Sequence, residues 1–414
     1  MSLDQAGKGG IATFMLNNRE IAPFVNRLQV FETLCKPYLT AKAIIVDADL
    51  IIDEMKIVGG EPVTFTFQTE GGGEYSANLQ VFSIKKDTPN KNHRGLLFEM
   101  DMIGSEYFGD RTQLVQKAFK NITGTDAIKN LHSEYMKSNL QILVDSMGLL
   151  FNKNSHVINS VKPFKAIDDL RRQLTFAKYP TGSTVYYRDK DGVKFAPAEY
   201  LFDSLSAVEQ YIQKTTWGAS WRDIADSKNA IVDYTTNIQN NSAGRTKVAN
   251  ISAMMKQEYK VINVLSNKLI FNNLASLIPN PIVAGMPFGQ LAGQIMNQIN
   301  ASVHGGSHNY LKIDTQKIPE TSVRRTEKEN LFKAMLADAP QIFVKVPIQG
   351  GLKATVGKGV NIQIMPPIGE RETSSEDTSM LSGDALVADL THDVMNNSGL
   401  SSTVMRLVKG GFNG

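Results

Sequence analysis

Cysteine is almost missing: Cys35 stands alone in 414 residues. That excludes an intrachain disulfide framework and suits synthesis in a reducing cytoplasm. Long apolar runs are missing too, and no stretch of ~18 apolar residues marks a membrane span. The nearest approach, Leu274 to Val303, is interrupted by Pro279, Pro281, Pro287 and by asparagines and glycines. No N-terminal segment has the basic-then-apolar layout of a secretion signal, so the expectation is a protein soluble when synthesised, with no stable membrane insertion. Nor is there an excess of one charge. With 44 basic against 41 acidic residues and a net +3, there is no electrostatic case for nucleic-acid binding.

Chemistry-bearing patterns are scarce. The six histidines, His93, His132, His156, His304, His308 and His392, lie in no metal-ligand spacing. His304 and His308 are four apart, but the Gly-Gly-Ser between them argues for a loop rather than a helical ligand pair. Nucleophile-elbow, phosphate-loop and dinucleotide motifs are missing, and the VGKGV run lacks the further glycine and the following helix. Asp47, Asp49, Asp53 and Glu54 read as a solvated turn and helix start, because no adjacent glycine and terminal glutamate complete a calcium loop. Glu99 and Asp101 fall on one side of one strand, where an outward polar stripe is the ordinary reading; paired glycosidase carboxylates usually face each other from different elements. Trp217 and Trp221, with Tyr211 before them, suit core packing or a subunit contact better than a carbohydrate platform. The expectation is therefore no enzyme, with no catalytic, cofactor-binding or metal-binding residues.

What is abundant is sheet grammar. Val63 to Gln68 alternates cleanly, Gly71 to Gly73 reads as a flexible loop tip, and Leu79 to Lys85 and Leu96 to Met102 give two further strands. Leu96, Phe98, Met100 and Met102 share one face of the last. Near the C-terminus Ile342, Val344, Val346 and Ile348 alternate, as do Val360, Ile362 and Ile364, then Leu386, Ala388 and Leu390. Gly350-Gly351, Gly357, Gly359, Ser382-Gly383 and Asn397-Ser398-Gly399 punctuate these runs where an antiparallel chain reverses. Along the strand that closes on His392, Leu386, Ala388 and Leu390 are expected inside, with Val387 and Asp389 facing the other way.

Between these blocks the chain turns helical. Leu114, Val115, Ala118 and Phe119 suit a helix over Ser105 to Lys120, and Thr125 could cap a second with Ile128, Leu131 and Tyr135 on one face. Pro163 opens a third, burying Phe164, Ile167, Leu170 and Leu174. VYYRDKDGVKFAP reads as a hairpin turning at Asp191-Gly192. Ala230 to Thr235 returns to strand, and Thr321 to Ala339 reads as a helix.

The closing order is distinctive. A strand ends in Val346-Pro347, Leu352 precedes Val356-Gly357, and a strand and loop lead to Ser382-Gly383; then come an apolar strand to His392, an Asn-Gly turn and TVMRLVK. This resembles the closing barrel of contractile-tail phage baseplate hub proteins, which also occurs in the hub half of type VI secretion spike proteins. EYFGDRTQLVQKAF after the first strands, and the PFKAI helix followed by the Tyr-rich hairpin, resemble the same family in sequence order. The Asn- and Gly-rich stretch Tyr259 to Tyr310 has no matching motif.

The resemblance implies an α+β, β-rich chain with two antiparallel barrels like those of a tail-tube subunit and inserted helical and α+β parts. The first barrel would span 1–112 and an α+β insert 113–224. The second barrel would comprise 225–255 and 338–414, interrupted by 256–337, an insertion of unknown fold that ends in a helix. It further implies a homotrimer forming a pseudo-sixfold ring in the virion tail baseplate, assembled in the host bacterial cytoplasm. Its partners would be the tail tube protein, the central spike protein and the baseplate wedge proteins, with DNA in transit through the lumen and not specifically bound. The alternatives are the hub of a type VI secretion or bacteriocin-like particle and, in another class, a tail-associated cell-wall hydrolase or sugar-binding protein.

Overall fold

The computed structural model describes residues 9–47, 51–69, 71–87, 96–146, 156–171, 174, 176–179, 184–213, 229–237, 341–364, 382–396 and 401–408. The chain opens with β1 (Gly9–Leu16), β2 (Arg19–Glu20), β3 (Val25–Thr33), β4 (Thr40–Asp47), β5 (Pro62–Thr69), β6 (Glu74–Asp87) and β7 (Leu96–Ile103). These run β3-β4-β7-β6-β5-β1-β2 across the sheet, every pair antiparallel. Period-two patterning decides the inner face: Val63, Phe65 and Phe67 of β5, Ala41, Ala43 and Ile45 of β4, and Phe98, Met100 and Met102 of β7 share one apolar core. Register shifts in β1 between Ile11 and Thr13, and in β6 between Val81 and Ser83, mark bulges of the kind that sharpen the bend of a sheet.

A mixed region follows, with helices Ser105–Thr112, Gly124–Leu131, Pro163–Arg171 and Ala198–Asp203 around β8 (Val115–Phe119), β9 (Leu140–Ile142), β10 (His156–Val161), β11 (Thr184–Asp189) and β12 (Gly192–Pro197). Ile128, Leu131, Ile167, Leu170 and Phe195 pack into its own core. The last block contains β13 (Ala207–Ile212), β14 (Asp233–Asn237), β15 (Gln341–Pro347), β16 (Gly359–Gln363), β17 (Gly383–Met395) and β18 (Ser402–Val408). Its order is β14-β15-β18-β17-β16-β13, antiparallel except for β13 with β16. The two ends of this block meet at one bridge, Ile212 to Ala230, where the Ile231 amide donates to the Ile212 carbonyl at 3.0 Å. Among the described residues no continuous ladder closes either block into a barrel.

The blocks are one sheet. Arg27 to Thr33 of β3 pairs antiparallel with Asp389 to Met395 of β17. The Arg27 guanidinium grips Asp393 across this joint, Nε to Oδ1 at 2.7 Å and Nη2 to Oδ2 at 2.6 Å. A second clasp forms where the Asn396 amide donates to the Asn26 carbonyl at 3.0 Å and the Ser401 hydroxyl to the Gly9 carbonyl at 3.3 Å.

Several sequence expectations are corrected. The helix from Ser105 ends at Thr112, and Val115–Phe119 is a strand because β10 supplies a partner there; Leu114 is left exposed. The second helix is capped by Thr123, whose hydroxyl accepts the Asp126 amide, so Thr125 lies within it. The hairpin turn is Lys190-Asp191, since Asp189 pairs with Gly192, and Asp189 Oδ1 accepts the Asp191 and Gly192 amides. Gly71 and Gly73 are no free tip: they lie against the side chains of Gln349 and Leu352 in the last block. Gly350 and Gly351 belong to a helical turn, Ile348–Gly351. In β17, Ala385, Leu386, Val387 and Ala388 are all buried, so Val387 does not face solvent. Tyr259 to Tyr310 and Thr321 to Ala339 lie outside the described residues.

Because β17 is covered on both faces there, Leu386→Asp and Val387→Asp are expected to behave alike. Either change places a carboxylate without a partner in the core at a cost of several kcal/mol, comparable with a domain's margin of ~5–15 kcal/mol. Urea denaturation followed by circular dichroism should show the loss for both; a native-like midpoint for Val387→Asp alone would restore a solvent-facing side.

Candidate functional site: the joint between the two sheets

Where β3 meets β17, the core side of the sheet turns polar. Glu32, on β3 opposite Leu390, is 2% exposed. It accepts the Tyr75 hydroxyl on Oε1 at 2.9 Å and, on Oε2, the Val356 amide at 3.5 Å. His392 of β17 is likewise buried, opposite Val30 and therefore diagonal to Glu32. Its Nδ1 pairs with the Thr403 hydroxyl of β18 at 2.9 Å, and its ring meets the edges of Phe67 and Tyr75, with centroids 5.8 and 5.2 Å away. Thr403 leaves no room beyond it: a Cβ on Gly351 would lie 2.0 Å from its hydroxyl oxygen. A strand from each block, β6 of the first and the 352–358 segment of the last thus converge on one buried cluster.

Burial pushes the Glu32 carboxyl up to about 7, against the pull of the Tyr75 hydroxyl, and the nearby Asp189 carboxylate adds to the rise. Burial drives His392 down to about 3, with Lys190 adding to the effect, so the ring is neutral at physiological pH. The sequence expectation closes this strand on His392. It is instead an interior residue of a strand that runs on to Met395. Nothing signalled Glu32 or Tyr75, since the partners are separated by 43 residues in sequence.

The β11–β12 hairpin buttresses this joint. Arg188 pairs with Thr33 of β3, its amide donates to the Lys36 carbonyl at 3.1 Å, and its guanidinium is ion-paired with buried Glu106. Asp189 is paired with Lys194, both buried, and Lys190 Nζ reaches the Leu352 carbonyl at 3.4 Å. Tyr187 presses against Gly357, whose φ of +81° and absent side chain the packing requires: a Cβ there would meet the Tyr187 hydroxyl at 2.4 Å.

One arrangement imitates a catalytic relay. His132 Nε2 lies 2.7 Å from the Ser138 hydroxyl and Nδ1 lies 2.5 Å from the Tyr186 hydroxyl, with Lys137 in left-handed backbone just before the serine. Both ring nitrogens are engaged by hydroxyls, and the buried Tyr186 hydroxyl, raised well above its ordinary value by burial, stays protonated. Burial also holds His132 down to about 4, a weak base.

The other candidates fall apart. Glu99 is bound by Lys42 at 2.6 Å and Lys85 at 3.6 Å, and Asp101 accepts the Ser83 hydroxyl at 2.7 Å, as an outward polar stripe should. Asp47 is buried, not solvated: its Oδ2 accepts the Ile52 amide at 2.7 Å at the start of the helix Ile51–Met55. Glu54 makes an exposed pair with Arg19 at 3.9 Å. Tyr211 is buried and donates to the Gly350 carbonyl at 3.0 Å. His93, His304, His308, Trp217 and Trp221 lie outside the described residues. Among the described residues no group of three His, Cys, Asp or Glu side chains could hold a metal, and no helix is long and apolar enough to cross a membrane. Sequence reading also missed an aromatic surface. The β6 bulge turns Phe82 outward against Tyr107, which contacts Tyr38 and lies under Arg111.

No family model matches the chain, and no curated protein matches its sequence. Solved structures do match it. The tail protein from Neisseria meningitidis MC58 superposes with a TM-score of 0.52 at 11% identity, over 98% of this chain and 97% of that one. The 43 kDa tail protein of prophage MuSo2 from Shewanella oneidensis gives 0.57 at 9% identity, over 97% and 99%. A component of the Escherichia coli type VI secretion system overlaps more loosely, with a TM-score of 0.45 at 7% identity over 97% of this chain and 77% of that one. The chain thus resembles phage tail proteins in fold along almost its whole length.

The His392 environment has a pH signature. A histidine whose folded value lies below its unfolded 6.5 contributes stability that is present above pH 6.5 and is lost as pH falls toward 3. The stability gap between the parent and His392→Gln, measured by urea titration, should be widest at pH 7 and narrow steadily toward pH 4. A gap independent of pH would mean that His392 ionises normally.

Proposed function

We propose that the chain is the structural hub of a contractile injection machine, built as a homotrimer that joins a tail tube to a central spike in a phage baseplate. The observation that carries this reading is the β3–β17 ladder, which joins two strand blocks within one chain. Three such chains would give six tube-like units in pseudo-sixfold array, the arrangement needed to match a hexameric tube on one side and a trimeric spike on the other. In this reading 1–112 form the first tube-like barrel, 113–224 the α+β insert, 225–255 and 338–414 the second barrel, and 256–337 an insertion. The tube protein, spike protein and wedge proteins are its partners, and the assembled virion is its place of action. The resemblance in fold to phage tail proteins supports the same assignment.

The outer face of the fused sheet fits a lumen through which DNA slides without being held. Its cations are ion-paired: Arg27 with Asp393, Lys42 and Lys85 both with Glu99, and Arg406 with Asp389, a pair close at 2.6 Å though not aligned as a hydrogen bond. Nucleic-acid affinity needs unpaired cations that displace counterions from phosphates. No catalytic step is assigned to the chain.

Two measurements test this. Light scattering of the purified chain, alone and with its spike protein, should give a mass of three copies. A monomer at every concentration in both conditions would overturn the hub reading. Separately, Glu99→Lys should leave Lys42 and Lys85 unneutralised beside a third lysine and produce a salt-sensitive DNA mobility shift that the parent lacks. Equal DNA retardation by the parent would refute the proposed neutral lumen.

A further inference from the structure

We propose that Glu32 is a proton-operated latch on the joint between the two sheets: neutral, it stays buried between the closed blocks, and ionised, it loosens the joint. Glu32 lies on the strand shared by both blocks, and its two oxygens face donors from opposite sides, Tyr75 of the first block and Val356 of the last. Among the described residues no cation is in contact with it. The charged and titratable groups facing it are Tyr75 on β6, neutral His392 on β17 behind Tyr75, and the β11–β12 hairpin, which brings Asp189, Lys190 and Arg188. Of these, Asp189 opposes ionisation and is itself held by Lys194, while Lys190 favours it from a distance. An ionised Glu32 would therefore be a desolvated charge held by two hydrogen bonds but with no adjacent counter-ion among the described residues, and opening the joint to water relieves it.

The sign follows from linkage. A carboxyl whose folded value is raised from 4.5 to about 7 contributes stability that is fully present below 4.5 and has been lost once pH has risen through 7. Opening that hydrates Glu32 should become more frequent by nearly tenfold per pH unit over this interval and level off above it. His392 acts in the opposite sense in acid, so the effect is read as a difference between parent and Glu32→Gln, which has the shape but not the charge.

The test is amide hydrogen exchange on the full chain between pH 5 and 8, corrected for intrinsic exchange. Relative to Glu32→Gln, opening of Leu28 to Thr33 and Leu390 to Val394 in the parent should rise on the order of fiftyfold, with β5 and β16 changing far less. Parallel pH profiles in the two proteins, or a change spread evenly over both cores, would overturn the latch. Should Glu32→Gln fail to fold, Tyr75→Phe carries the test. Removing the hydroxyl that lowers Glu32 should move the upper end of the parent's transition to higher pH, and an unmoved upper end would refute the proposal.

Discussion

The pairing of Arg27–Thr33 with Asp389–Met395 is the constraint on which the remaining architecture depends. β17 is 13 residues long because it serves two sheets: its first half pairs with β16 and its second half with β3, while β18 follows it along most of its length. A bulge between Val387 and Asp389 lies where the strand passes from one role to the other. Ala385 to Ala388 is buried on both faces, and the second half presents an outer face with Thr391 and ion-paired Asp393. Residues from the two ends of the sequence are thereby committed to one ladder.

Continuous apolar packing would make the two cores indistinguishable at that ladder. Instead Glu32, Tyr75, His392 and Thr403 form a buried hydrogen-bonded layer between the core around Phe65 and Val30 and the core around Leu386 and Ile342. Buried polar groups tolerate few alternative partners, because an unmatched one costs about 1–3 kcal/mol. They therefore fix register and angle where apolar side chains alone would allow sliding. The β11–β12 hairpin adds a third contact through Arg188, Lys190 and Tyr187, which ties the mixed region to both blocks. A ring made from two units per chain needs this angle held, and the proposed hub draws its geometry from it.

Much of the framework was legible. β5, β7, β15 and β16 each alternate so plainly that their inner faces could be read residue by residue, and Pro163 marked its helix because a helix's first turn needs no amide donor there. Local pattern failed where distant partners decide. Val115 to Phe119 has helical spacing but β10 pairs with it; Val387 alternates outward, yet the packing covers both sides of β17. Asp47 has the composition of a turn and is buried because it caps a helix. The joint was the least legible part: Glu32, Tyr75, Val356 and His392 are scattered along the chain, and only the register of β3 on β17 assembles them.

The most direct measurement is an electron-microscopic reconstruction of the assembled chain with its spike protein. The account requires a threefold ring of six curled sheets in one layer, with alternate neighbours joined through the β3–β17 ladder of a single chain and the charge-paired face of Arg27, Lys42 and Glu99 turned inward. A ring with another number of sheets, or one in which the two sheets of a chain occupy different layers, would contradict it.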